Sequence, residues 1–197
     1  GLASGRGALN TPAGEPVRVV YVDMEMTQAD ARERLRSMGY GPGDDLDALA
    51  YYSMPDLGGL DTASGGGDLV ELARHHDAAL VVIDTMVASL AGAENDAETI
   101  REFGRHTIAA LKRDGRAVVR LDRLGKDTTR GARWSSAKAG DVDVEWTLTA
   151  QAGGVQLKAT RRRIPWVPEV VELTRDDYPL AYRRVPPSAP STLIGWG

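Results

Sequence analysis

The chain has 197 residues, 42% hydrophobic and 26% charged, with a formal net charge of −4. Those values suit one globular domain with a real core, and they exclude a uniformly basic nucleic-acid coat; any DNA contact has to come from a local patch. The absence of Cys excludes disulfides, thiolate catalysis and Cys-ligated zinc, and no apolar run is long enough to span a bilayer.

The first strand is expected over Val17 to Met24, an apolar run that ends in Asp23-Met24-Glu25. β-rich residues with acids only at the carboxyl end read as a buried parallel strand, and the mouths of such strands are where open α/β sheets place their chemistry. Strand alternation points Asp23 and Glu25 the same way. Glu25 can orient and deprotonate a water; either acid can instead cap the following helix, a role that suits Asp23 better. Thr27, with Asp30 three residues on, forms a capping-box pattern. Ala31, Leu35 and Met38 then recur at helical spacing up to Gly39.

A second strand is expected over Leu49 to Met54, then a glycine-rich loop from Pro55 to Gly67 and a short helix from Asp68 to His76. The third strand, Ala79 to Asp84, is an apolar run closed by one acid, a pattern that can hold the water shell of Mg²⁺ or simply end a buried strand. A longer helix follows from about Asp96 to Asp114, with Asn95 as its expected cap and Gly115 as its stop. Ala117 to Asp122 is the fourth strand.

Beyond it the pattern changes. Arg123, Lys126, Arg130, Arg133 and Lys138 crowd a polar stretch that also holds Trp134 and Ser135-Ser136. Such a stretch can follow a nucleic-acid backbone and stack a base, or stand as a solvated loop. Val142 to Ala150 and Val155 to Thr160 alternate around Gly153-Gly154 as a β-hairpin, Val170 to Thr174 reads as an added edge strand, and residues 186–197 read as a mobile tail. Lys158 and Arg161-Arg162-Arg163 lie on or beside a late strand, where a guanidinium can reach a neighbouring subunit's phosphate or remain solvated. His75, His76 and His106 lack metal-ligand spacing. The whole is an α/β chain: a mostly parallel sheet flanked by helices, with an antiparallel hairpin at one edge.

The segments Val19 to Met26, Leu80 to Thr85, Val119 to Asp127 and Arg130 to Lys138, in this order and spacing, resemble the RecA-like P-loop ATPases. Within that class the nearest likeness is to the hexameric RepA-type helicases of the AAA grouping, actinobacterial or phage in type, and it spans roughly Val17 to Glu172. The resemblance implies a single RecA-like core over residues 1–185, using ATP and Mg²⁺. Glu25 matches the catalytic base and Asp84 the Mg²⁺ acid. Asp122 and Arg123 match the γ-phosphate sensor region, although relatives often carry His where Arg123 stands. Lys126, Arg130, Arg133, Trp134 and Lys138 match the DNA-facing loop, with Trp134 in place of a frequent Gly. Lys158 and Arg161 to Arg163 match the finger that acts across subunits. The implied partners are further copies of the chain, in a ring or filament, and single-stranded DNA, in the cytoplasm. A GxxxxGK[ST] phosphate loop should precede the first strand, and no such motif occurs in the 197 residues. Residues 1–7 resemble the tail of the helix that follows such a loop, which leads us to expect the loop upstream. A non-catalytic assembly or DNA-tethering module is the competing expectation.

Overall fold

The computed structural model describes residues 1–123 and 142–186. Lys126, Arg130, Arg133, Trp134 and Lys138 therefore lie outside the described residues, as does the tail from residue 187 onward.

Four strands build a parallel sheet: β1 (Val19–Asp23), β2 (Leu49–Ser53), β3 (Leu80–Asp84) and β4 (Ala117–Arg120), in the order β2-β1-β3-β4. Each crossover carries helix: α1 (Gln28–Ser37), α2 (Ala63–His75), and a segment made of α3 (Ala97–Phe103), a π-helical turn (Gly104–Ile108) and α4 (Ala109–Arg113). Val20, Val22, Val81 and Ile83 alternate onto one face of the sheet, where they bury completely with Leu69, Phe103 and Leu111. Burying side chains of this size contributes about 1.5–3 kcal/mol each. The opposite face carries Tyr21, Asp23 and Asp84, with α1 lying over the β1–β2 half.

The antiparallel strands form a sheet of their own. It comprises β5 (Val144–Gln151), β6 (Gly154–Arg162), β7 (Val170–Asp177) and β8 (Leu180–Arg184) in sequential order. In the expected hairpin Leu148 faces Leu157 and Ala150 faces Val155, and a bulge lies between Glu145 and Trp146. The strand expected to end the sheet at Thr174 instead continues to Asp177 and lies inside it, because β8 pairs along its outer side. Lys112 in α4 reaches Asp143 ahead of β5 at 3.0 Å.

Two helix starts differ from expectation. α2 begins at Ala63 rather than Asp68, since Thr62 accepts a hydrogen bond from the Gly65 N–H at 3.1 Å and caps it. Its glycines serve close packing: a Cβ on Gly65 would stand 2.3 Å from the Gly58 carbonyl oxygen, and one on Gly66 2.5 Å from that of His106. Composition alone makes Gly65-Gly66-Gly67 a loop; tertiary contact makes it the first turns of a helix. The cap of α3 is Asp96, which accepts from the Glu98 N–H at 3.0 Å, not Asn95.

Candidate functional site

The carboxyl ends of β1, β3 and β4 converge, and backbone bonds beyond the strands hold them there. Asp23 sits level with Asp84 in the β1–β3 register. Past it the Met24 N–H donates to the Asp84 carbonyl at 2.7 Å and the Met54 N–H to the Asp23 carbonyl at 2.7 Å. On the other side the Leu121 N–H donates to the Ile83 carbonyl and the Met86 N–H to the Leu121 carbonyl, both at 2.9 Å. The turns that carry the acids are thus fixed to their neighbours rather than hanging from strand tips.

Asp23 and Glu25 part company. Asp23 is 2% exposed, and one carboxylate oxygen accepts from the N–H groups of Glu25 (3.0 Å) and Met26 (2.8 Å). The other accepts from the Tyr51 hydroxyl at 2.6 Å. Asp23 therefore ties down the turn between β1 and α1, while Thr27 and Asp30 make the expected capping box. That turn ends the strand alternation, so Glu25 does not follow Asp23; it leans toward β3 and β4. The Thr85 hydroxyl donates to one Glu25 oxygen at 3.1 Å, and the Arg123 guanidinium pairs with the other.

Asp84 faces the α1 side of the sheet, where the Tyr21 hydroxyl donates to it at 2.6 Å. The rings of Tyr21 and Tyr51 stack with centroids 5.3 Å apart. Two phenol–carboxylate pairs thus run side by side across β2, β1 and β3. Burial, reinforced by these carboxylate bonds, pushes both phenols well above their usual range, so each stays a donor. Burial pushes the Asp23 carboxyl up, but hydrogen bonds from Tyr51, Met26 and Glu25, with the field of Arg34, outweigh it and hold the group below 3.8. Tyr21, Tyr51 and Thr85 did not stand out in the sequence. The period-2 pairing of Tyr21 with Asp23 was the available signal for the first; Thr85 is marked only by following Asp84.

Of the other expected site residues, Asp122 and Arg123 lie just past β4, and Arg123 joins Glu25 directly. Lys158, Arg161 and Arg162 lie on β6 with Arg163 next to it, in the antiparallel sheet. Arg162 pairs with Glu169 at 2.7 Å and Arg163 approaches Asp143 at 3.9 Å. Two cavities are described. One, of about 560 Å³, lies at the amino-terminal end of β1 and β3 beside Arg18, Asp77 and Arg116. The other, of about 180 Å³, lies between α1 and the sheet beside Tyr21, Arg34, Leu35 and Tyr51. Neither is lined by Glu25 or Asp84.

Among the described residues no group of three His, Asp or Glu side chains could hold a metal by itself. The acids at these strand mouths offer oxygen donors only: Asp84 at the end of β3, and Glu25 bonded to the Thr85 hydroxyl. That set fits Mg²⁺ arriving with phosphate oxygens and water, the usual manner of this ion, and does not make a resident metal cage.

Helices cover both faces of a parallel sheet that carries carboxylates at adjacent strand mouths, an α/β module in keeping with the AAA and RecA-like P-loop ATPase type. Residues 1–129 match the family model described as the AAA domain, and the chain belongs to that family. No curated protein matches it. No helix among the described residues is long and apolar enough to cross a membrane.

Proposed function

We propose that the chain is the catalytic portion of a DNA-dependent, Mg²⁺-ATP-hydrolysing motor of the RepA-like kind, working in the cytoplasm as a ring or filament of identical subunits. The observation that carries this reading is the meeting of Glu25, Thr85 and Arg123 at the mouths of three neighbouring parallel strands, the middle one of which ends in Asp84. Mg²⁺, when bound, would neutralise charge on the phosphates, with Asp84 holding its water shell. Glu25 would orient and deprotonate the attacking water, with Thr85 fixing its carboxylate by a hydroxyl hydrogen bond. Tyr21 orients Asp84 by donating to it. The backbone amides and Lys of a phosphate loop are not among the 197 residues, so this reading requires them from elsewhere in the assembled protein.

Two features support the wider reading. The cations from Arg123 to Lys138, with Trp134 among them, complement a single-stranded backbone and its bases. On β6, Arg162 and Arg163 are engaged with acids of their own sheet, whereas Lys158 and Arg161 carry no ion pair among the described residues; these two are the better candidates for a finger reaching the next subunit.

The test is Mg²⁺-ATP turnover by the full-length product of the gene, with and without single-stranded DNA. Glu25→Gln and Asp84→Asn should each lower turnover about 100-fold or more. Unchanged turnover after Glu25→Gln would reject the assigned base. A protein that binds DNA or its own copies but never a nucleotide would be the non-catalytic tethering module instead.

A further inference from the structure

Glu25 is not idle in this structure: both its oxygens are taken, one by the Thr85 hydroxyl and one by Arg123. A carboxylate oxygen keeps a second lone pair, but a guanidinium paired with it competes with an incoming water for that oxygen. The two partners differ in kind. Thr85 follows Asp84 directly, and the Met86 N–H after it bonds to the Leu121 carbonyl, so its position is set by the sheet. Arg123 is 76% exposed at its side chain and stands past the last strand bond, its own N–H turned to the Asp122 carboxylate. One partner is built in and the other can leave.

We propose that Arg123 is a releasable clamp that masks Glu25 until a more highly charged anion draws the guanidinium away. Its strength suits the task. An exposed pair of this kind biases its equilibrium only a few-fold, while several phosphate charges at the same strand mouths attract a guanidinium far more strongly. Arg123 is then a positioning residue that acts through Glu25. The pairing is a property of the chain alone; its effect on hydrolysis rests on the function proposed above.

Two measurements separate these parts. In the nucleotide-free 197-residue chain, carbodiimide labelling of Glu25, read by peptide mass spectrometry, should rise about two- to five-fold in Arg123→Gln. It should stay near the wild-type rate in Arg123→Lys, which keeps the charge. Equal labelling in wild type and Arg123→Gln overturns the clamp. In the full-length protein, DNA-free turnover should rise by a similar factor in Arg123→Gln and not in Arg123→Lys, and Glu25→Gln should abolish the gain. A fall in turnover in Arg123→Gln makes Arg123 part of the chemistry and overturns the clamp. Absence of turnover in every form sinks the ATPase reading, and labelling alone then decides the pairing.

Discussion

At the scale of residues, two acids two positions apart in the chain have different settings. Asp23 is structural: buried, with three hydrogen bonds that tie down the turn after β1. Glu25, two positions on, faces the convergence of strand ends. The Asp23 group is held below 3.8 in the fold, so its ionised form stabilises the protein above that value, and the contribution is lost as pH falls through the lower folded-state value. Asp23→Asn should cost about 1.5–3 kcal/mol at neutral pH, the worth of hydrogen bonds to a charged acceptor. Urea titrations of the two proteins between pH 7 and pH 2 should show that gap closing in acid. A gap of constant size would mean that the Asp23 charge contributes nothing.

At the scale of elements, what a local pattern marks was legible and what a distant neighbour decides was not. The runs at Val19 to Asp23 and Leu80 to Asp84 read directly, because a buried parallel strand must be continuously apolar and its polar ends stand out. The capping box at Thr27 read directly for the same reason, since its signal is local. The start of α2 did not, because Gly65 and Gly66 are chosen by the backbone of Gly58, Gly59 and His106 pressing on them, and no local pattern reports a distant neighbour. Nor did β8, too short and too basic to look like a strand outside its sheet. Among candidate site residues, Glu25 and Asp84 were legible as strand-end acids; the phenols of Tyr21 and Tyr51 were not, because their role follows from cross-strand register. The glycines of α2 give a test in which propensity and packing disagree. Gly67→Ala has open space around the new methyl and should stabilise the protein by about 0.5–1 kcal/mol. Gly65→Ala gains the same propensity yet meets the Gly58 carbonyl, and should destabilise by about 1–3 kcal/mol. Denaturant midpoints read both, and stabilisation by Gly65→Ala would refute the close packing.

At the scale of the whole molecule, the parallel sheet and its carboxylate site lie within the residues that match the AAA domain, and the antiparallel sheet lies beyond them. In the function we propose, the two sheets divide the roles: chemistry at the mouths of β1, β3 and β4, and contact with a neighbouring subunit through cations of β6. At the outer edge of the parallel sheet β4 leaves Val119 47% exposed, an unusual state for an apolar residue of a parallel strand. The account as a whole depends on Glu25 and Asp84 addressing a single bound triphosphate, although each has its own protein partner when no nucleotide is present. The most direct measurement is paramagnetic broadening of backbone amide signals in the full-length protein on binding Mn²⁺ with a non-hydrolysable ATP analogue. We predict that the amides of Glu25, Asp84, Thr85 and Arg123 broaden together while that of Tyr182, in the antiparallel sheet, stays sharp. Broadening of one strand end without the other, or of neither while the analogue is bound, would contradict it.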